Sequence, residues 1–167
     1  MELILNKNLS TEIRNREKRT VILFSVLLLI IMGFTLYCIR ALFNAIENNG
    51  LNKFLWFFIF FVEIIAILYC ILKLREHIIP IFALKDSTKL KVFEVSILDI
   101  DTAWCFDTIL YRPCVMMELS WNEEDSLALI EGKKEKEIAE LVRKALLLYK
   151  EDNLLGAYVL NDENQIV

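Results

Sequence analysis

Glycine is scarce in this chain. Four glycines in 167 residues leave little material for loops that cradle phosphates, and no Walker loop, GxGxxG, GxSxG or HExxH occurs. The single histidine, His77, cannot complete a usual zinc set, and the four cysteines contain no CxxC. Cys38 and Cys70 lie within hydrophobic runs, whereas Cys105 and Cys114 stand in a more polar region. Four reduced, buried thiols in a cytosolic compartment are expected. Asp99 and Asp101 form a D-x-D pair without an evident third ligand, and Glu123-Glu124-Asp125 reads as a solvated acidic loop or a helix start. No enzyme, cofactor or metal is expected.

Hydrophobic residues make up 56% of the chain, above the roughly 45–50% of globular proteins. The excess falls in two segments. Thr20 to Ile39 is too long for the core of a secretory signal peptide and lacks a small-residue cleavage site. It reads as a first transmembrane helix bounded by Arg19 and Arg40. Phe54 to Leu72 reads as a second, with one charge in the middle of it, Glu63. Neither run holds GxxxG, though Gly33 could let another helix approach closely.

Charge is distributed unevenly. Residues 1–75 hold nine Lys/Arg against five Asp/Glu, and residues 76–167 hold ten against eighteen. An acidic C-terminal half argues against a long nucleic acid as partner. Arg14, Arg16, Lys18 and Arg19 precede the first run, and Lys73, Arg75 and Lys85 follow the second. The connector has only Arg40 and Lys53. The positive-inside rule then places both termini in the cytosol and the connector outside.

Four divisions follow: a basic N-terminal segment 1–19, a transmembrane hairpin 20–74, a neck 75–88, and a small α+β domain 89–167. Pro80 marks the expected end of any continuous helix. Beyond it, KLKVFEVSILDI and TAWCFDTILY read as two strands, with Arg112-Pro113 as a break. CVMMELSW alternates, with Val115, Met117, Leu119 and Trp121 on one face. LALIE and AYVL are further short strands. Ile138, Leu141, Val142, Ala145 and Tyr149 fall at helical spacing, predicting one amphipathic helix from Lys133 past Tyr149. The expected sheet is mostly antiparallel, with four or five strands.

Two sets of residues carry the functional expectation. Arg112, Lys89, Lys91, Tyr111 and Trp104 are cations and aromatics that could bind a small anionic nucleotide by pairing and stacking. Glu63 has no cation at its own depth, and a charge there costs on the order of 3 kcal/mol or more. Three arrangements relieve it: a protonated lock between the two helices, a ring of copies around a water-filled axis, or a counter-ion on a partner helix. The last two need more than one chain.

In size, topology and architecture the chain resembles small two-span membrane effectors of bacterial antiviral signalling, CRISPR-associated or linked to cyclic oligonucleotides. The resemblance rests on architecture, without a shared motif. It implies a homo-oligomer in the bacterial inner membrane, a cytosolic domain binding a cyclic oligoadenylate-type messenger, and membrane perturbation or a pore in response. A non-conducting interaction protein, such as an immunity protein or accessory subunit acting through its hairpin, is the alternative.

Overall fold

The computed structural model describes residues 2–3, 7–47, 53–85, 90–121 and 124–167. They form two compact units. One comprises Met1–Glu17 with Ile79–Val167, and the other is Lys18–Ile78.

The helical unit is an antiparallel pair drawn from α1 (Lys7–Glu47) and α2 (Lys53–Ala83). Phe24 of α1 lies against Tyr69 and His77 of α2, whereas Tyr37 lies against Trp56. As one helix ascends in number the other descends. Buried and half-buried positions of α2 recur at Trp56, Glu63, Cys70 and His77, with Lys73 between the last two. Phe24, Ile31 and Cys38 recur in the same way on α1. A seven-residue interval is the signature of two helices packed along a seam.

Both helices outrun the sequence expectation. Segment 1–19 is helical from Lys7 onward, and α2 passes through Pro80 to Ala83 instead of ending there. A proline removes one helical N–H but still permits a continuous helix when packing holds it, and Pro80 is fully buried. Most of the expected neck is therefore helix. Lys89 lies outside the described residues.

The second unit is a curled antiparallel sheet in the order β4-β3-β2-β5-β6, with β2 Leu90–Asp107, β3 Leu110–Trp121, β4 Glu124–Ile130, β5 Lys144–Lys150 and β6 Asn153–Val159. A two-residue strand, β1 (Glu2–Leu3), pairs with β2. One helix, α3 (Lys133–Val142), precedes β5.

Three local readings are corrected. From Leu90, KLKVFEVSILDI and the first part of TAWCFDTILY, to Asp107, are one long strand, and the rest of TAWCFDTILY is the turn and the start of β3. Pro113 stands inside β3 opposite Trp104, where β3 has no neighbour on its other side, because β4 begins to pair only at Val115. A strand edge tolerates proline because no ladder N–H is needed there. The single long helix from Lys133 is instead a short helix and a strand. Arg143, left-handed at φ 52°, caps α3, and Ala145 to Leu148 are all buried in β5. A short run buried on both faces has no period by which to tell strand from helix.

Each face of the sheet has its own core. Val95, Met117, Leu119, Leu147 and Val159 pack with Ala139 of α3. Val92, Leu146, Leu148, Tyr158 and Leu160 pack with Ile13, so the first turns of α1 belong to this unit. The expected face of CVMMELSW is in place: Met117 and Leu119 are buried, and Val115 and Trp121 pack against them. Leu141, expected in the core, is exposed.

Candidate functional site

Glu63 lies on the seam of the helical unit and is buried, 6% exposed. Cys38 Sγ donates to its Oε1 at 3.1 Å. Its other oxygen, Oε2, meets no donor among the described residues. Lys73, also buried, gives its ammonium to Glu76 at 2.9 Å. Ten residues separate Lys73 from Glu63 along the helix, or about 15 Å of rise, so Lys73 does not serve as its counter-ion.

The surroundings of that seam are inverted relative to a protein in water. Ile22, Leu29, Leu36, Phe54, Phe58 and Phe61 are all more than half exposed. Polar and thiol groups, Cys38, Glu63, Cys70 and Lys73, are turned inward.

In the sheet unit, the hairpin of β2 and β3 extends past its neighbours. β5 stops pairing with β2 at Ser96, and β4 stops pairing with β3 at Val115. Residues 103–107 and 110–114 thus form a two-stranded ribbon. Successive side chains of a strand point to opposite faces, and the register sorts the ribbon into two. Trp104 pairs with Pro113 and Phe106 with Tyr111 on one face. Trp104 and Tyr111 stack with centroids 5.5 Å apart. Cys105 pairs with Arg112 on the other face, where Arg112 grips the buried Asp107 through Nε at 3.0 Å and through Nη2.

That second face also corrects the cysteine expectation. Cys105 and Cys114 are joined by a disulfide, with Cα atoms 6.0 Å apart. Nine residues of separation concealed a cross-strand neighbour relation made by the turn at Thr108. Cys38 and Cys70 remain free and buried.

The expected nucleotide-binding residues are therefore not gathered. Trp104 and Tyr111 are together, Arg112 is on the opposite face with Asp107, and Lys91 is fourteen residues back along β2 from Cys105, roughly 45 Å of strand. Asp99 and Asp101 lie within β2, each accepting from the next backbone N–H. Among the described residues no group of three or more His, Cys, Asp or Glu comes together to hold a metal ion.

A buried polar cluster joins the first turns of α1 to α3 and β6. Arg16 Nη2 donates to Glu135 Oε1 at 2.8 Å, and its guanidinium lies 5.1 Å from the centre of the Tyr158 ring. Glu17, Glu135 and Tyr158 are all buried. Burial raises the Glu135 carboxyl above its ordinary range, and the Arg16 charge offsets part of that. Burial, reinforced by the Glu17 carboxylate, pushes the Tyr158 phenol well up. A sequence signal existed: Glu135 is in step with Ile138, Ala139 and Val142 on the inward face of α3.

Comparison with known protein families, with curated proteins and with solved structures finds no match for this chain.

Proposed function

We propose that this is a two-span membrane protein whose helical pair anchors the sheet unit and acts by lateral contact in the bilayer, without conducting. The observation that carries the reading is the inverted helical pair. Leaving one large apolar side chain in water instead of burying it costs about 1.5–3 kcal/mol. A dozen such residues would cost more than the 5–15 kcal/mol typical of a whole fold. Lipid removes that cost.

Glu63 supports the non-conducting form. Its carboxyl is turned to Cys38 of the same chain, so the hairpin holds its polar group internally and offers lipid an apolar exterior. Such a hairpin packs against a partner's helices by shape and small residues. The basic flanks on the N-terminal side of the first run and after the second support termini in the cytosol.

Membrane fractions washed with alkaline carbonate test the anchor. The chain is expected to stay in the pellet, and release into the wash would sink the reading. An impermeant thiol reagent tests the side: after reduction, Cys105 and Cys114 should react only once the membrane is opened. Reaction in intact cells would put the sheet unit outside, where disulfides persist.

A second reading rests on Glu63 Oε2, which is buried without a donor. In a gated homo-oligomer responding to a small anionic nucleotide, copies or water along an axis would supply that donor. Liposome dye release by wild type and Glu63→Gln, each with a panel of cyclic oligoadenylates present, separates the readings. Release that the substitution abolishes favours the gate, and absence of release from either chain favours the anchor.

A further inference from the structure

The ribbon carries apolar surface that the sheet does not use. Trp104, Phe106 and Tyr111 are 64%, 70% and 67% exposed, all on the face opposite the disulfide and the Asp107–Arg112 pair. Pro113 completes the patch and is likewise exposed. A two-stranded ribbon alone is marginal in water. Here the disulfide and the ion pair brace it from behind, so the aromatic face is held out rather than folded in.

Chemistry selects the occupant. A large aromatic side chain buries about 150–250 Å² in full, so three at two-thirds exposure offer on the order of 400 Å². Two copies face to face would cover about 800 Å², short of the ~1,000 Å² a stable protein interface needs. Trp and Tyr instead favour the headgroup region of a bilayer, where an apolar ring and a polar edge are both satisfied. No Lys or Arg lies on that face, and Asp99 and Asp101 stand on the other, so attraction to anionic lipid is not what binds it. A chain already tethered by two spans needs only weak added affinity, because tethering makes the contact intramolecular.

We propose that the aromatic face of the β2–β3 ribbon, Trp104, Phe106, Tyr111 and Pro113, seats in the headgroup region of a zwitterionic bilayer. The inference rests on the membrane reading above. The test is tryptophan emission from the full chain in phosphatidylcholine vesicles, with and without lipids brominated near the headgroup. The Trp104 signal is taken as the difference between wild type and Trp104→Phe, and the Trp56 signal as the difference from Trp56→Phe.

The Trp104 difference spectrum is expected to be blue-shifted and to lose most of its intensity with the shallow quencher. If Trp56 is quenched while Trp104 stays red and unquenched, the inference is overturned and the membrane reading stands. If neither responds, the membrane reading itself fails. A Trp104 signal that is blue-shifted, unquenched and dependent on protein concentration overturns the inference in favour of a second copy. Asp107→Ala should weaken the quenching by loosening the brace without removing an aromatic.

Discussion

At the scale of single residues, two buried contacts give measurable expectations. Glu135 has its carboxyl raised by burial, so the folded chain holds that proton more tightly than the unfolded one. Its contribution is then fully present below the ordinary value of 4.5 and is lost as pH rises through the higher folded value. Glu135→Gln removes a partner of Arg16 and should destabilise by about 1–3 kcal/mol. The deficit should widen as pH falls from neutral, which thermal melts of both chains across pH would read. Gly156 is the second. A Cβ there would stand 2.7 Å from the Tyr158 hydroxyl, and Tyr158 is fully buried. Gly156→Ala should cost about 1–3 kcal/mol by overpacking, and adding Tyr158→Phe should return part of it in denaturant titrations.

At the scale of elements, the ribbon and the α3–β5 junction show what was legible in the sequence. The alternation in CVMMELSW was readable because β3 has one buried and one open face, which imposes a period of two. β5 was not, because Ala145 to Leu148 are buried on both sides and Arg143 leaves no glycine to announce the helix end. The hairpin was half legible: its apolar and aromatic residues were visible, but Arg112-Pro113 looked like a break because edge position cannot be seen locally. The same blindness separated Trp104 and Tyr111 from Arg112, since which face each occupies depends on the register set by the turn. The disulfide closes a loop of ten residues, worth roughly 2.5–3 kcal/mol by chain entropy. Because the ribbon lies beyond the pairing of β4 and β5, reduction should loosen it locally. Hydrogen exchange should speed up at residues 103–113 and stay slow in β5. Equal acceleration across the sheet would show that the ribbon is integral to the core.

At the scale of the whole molecule, the two units distribute their apolar and polar residues in opposite ways. The sheet unit has two closed apolar cores, while the helical unit turns its apolar residues outward and its polar ones inward. The apolar runs and the central Glu63 were legible because length and hydropathy need no tertiary information. That Glu63 meets Cys38 was not, since it depends on the rotation of each helix about its axis. Cys38→Ala should leave both Glu63 oxygens without a donor and cost about 1–3 kcal/mol. Cys38→Ser, which keeps a donor, should lose less. Detergent-solubilised melts of the two variants would show that order.

Ile13 packs against Leu148, Tyr158 and Leu160, and this ties the beginning of the chain to its end. During synthesis the first turns of α1 emerge long before β5 and β6 exist. At 5–20 residues per second, Ile13 waits on the order of ten seconds for its partners. Throughout that time the face it will cover has yet to be made, and both apolar helices emerge in between. If the two helices cross a bilayer, as proposed above, the early segment and the strands must finish on the same side of it. An insertion route that left them on opposite sides would leave one core of the sheet open.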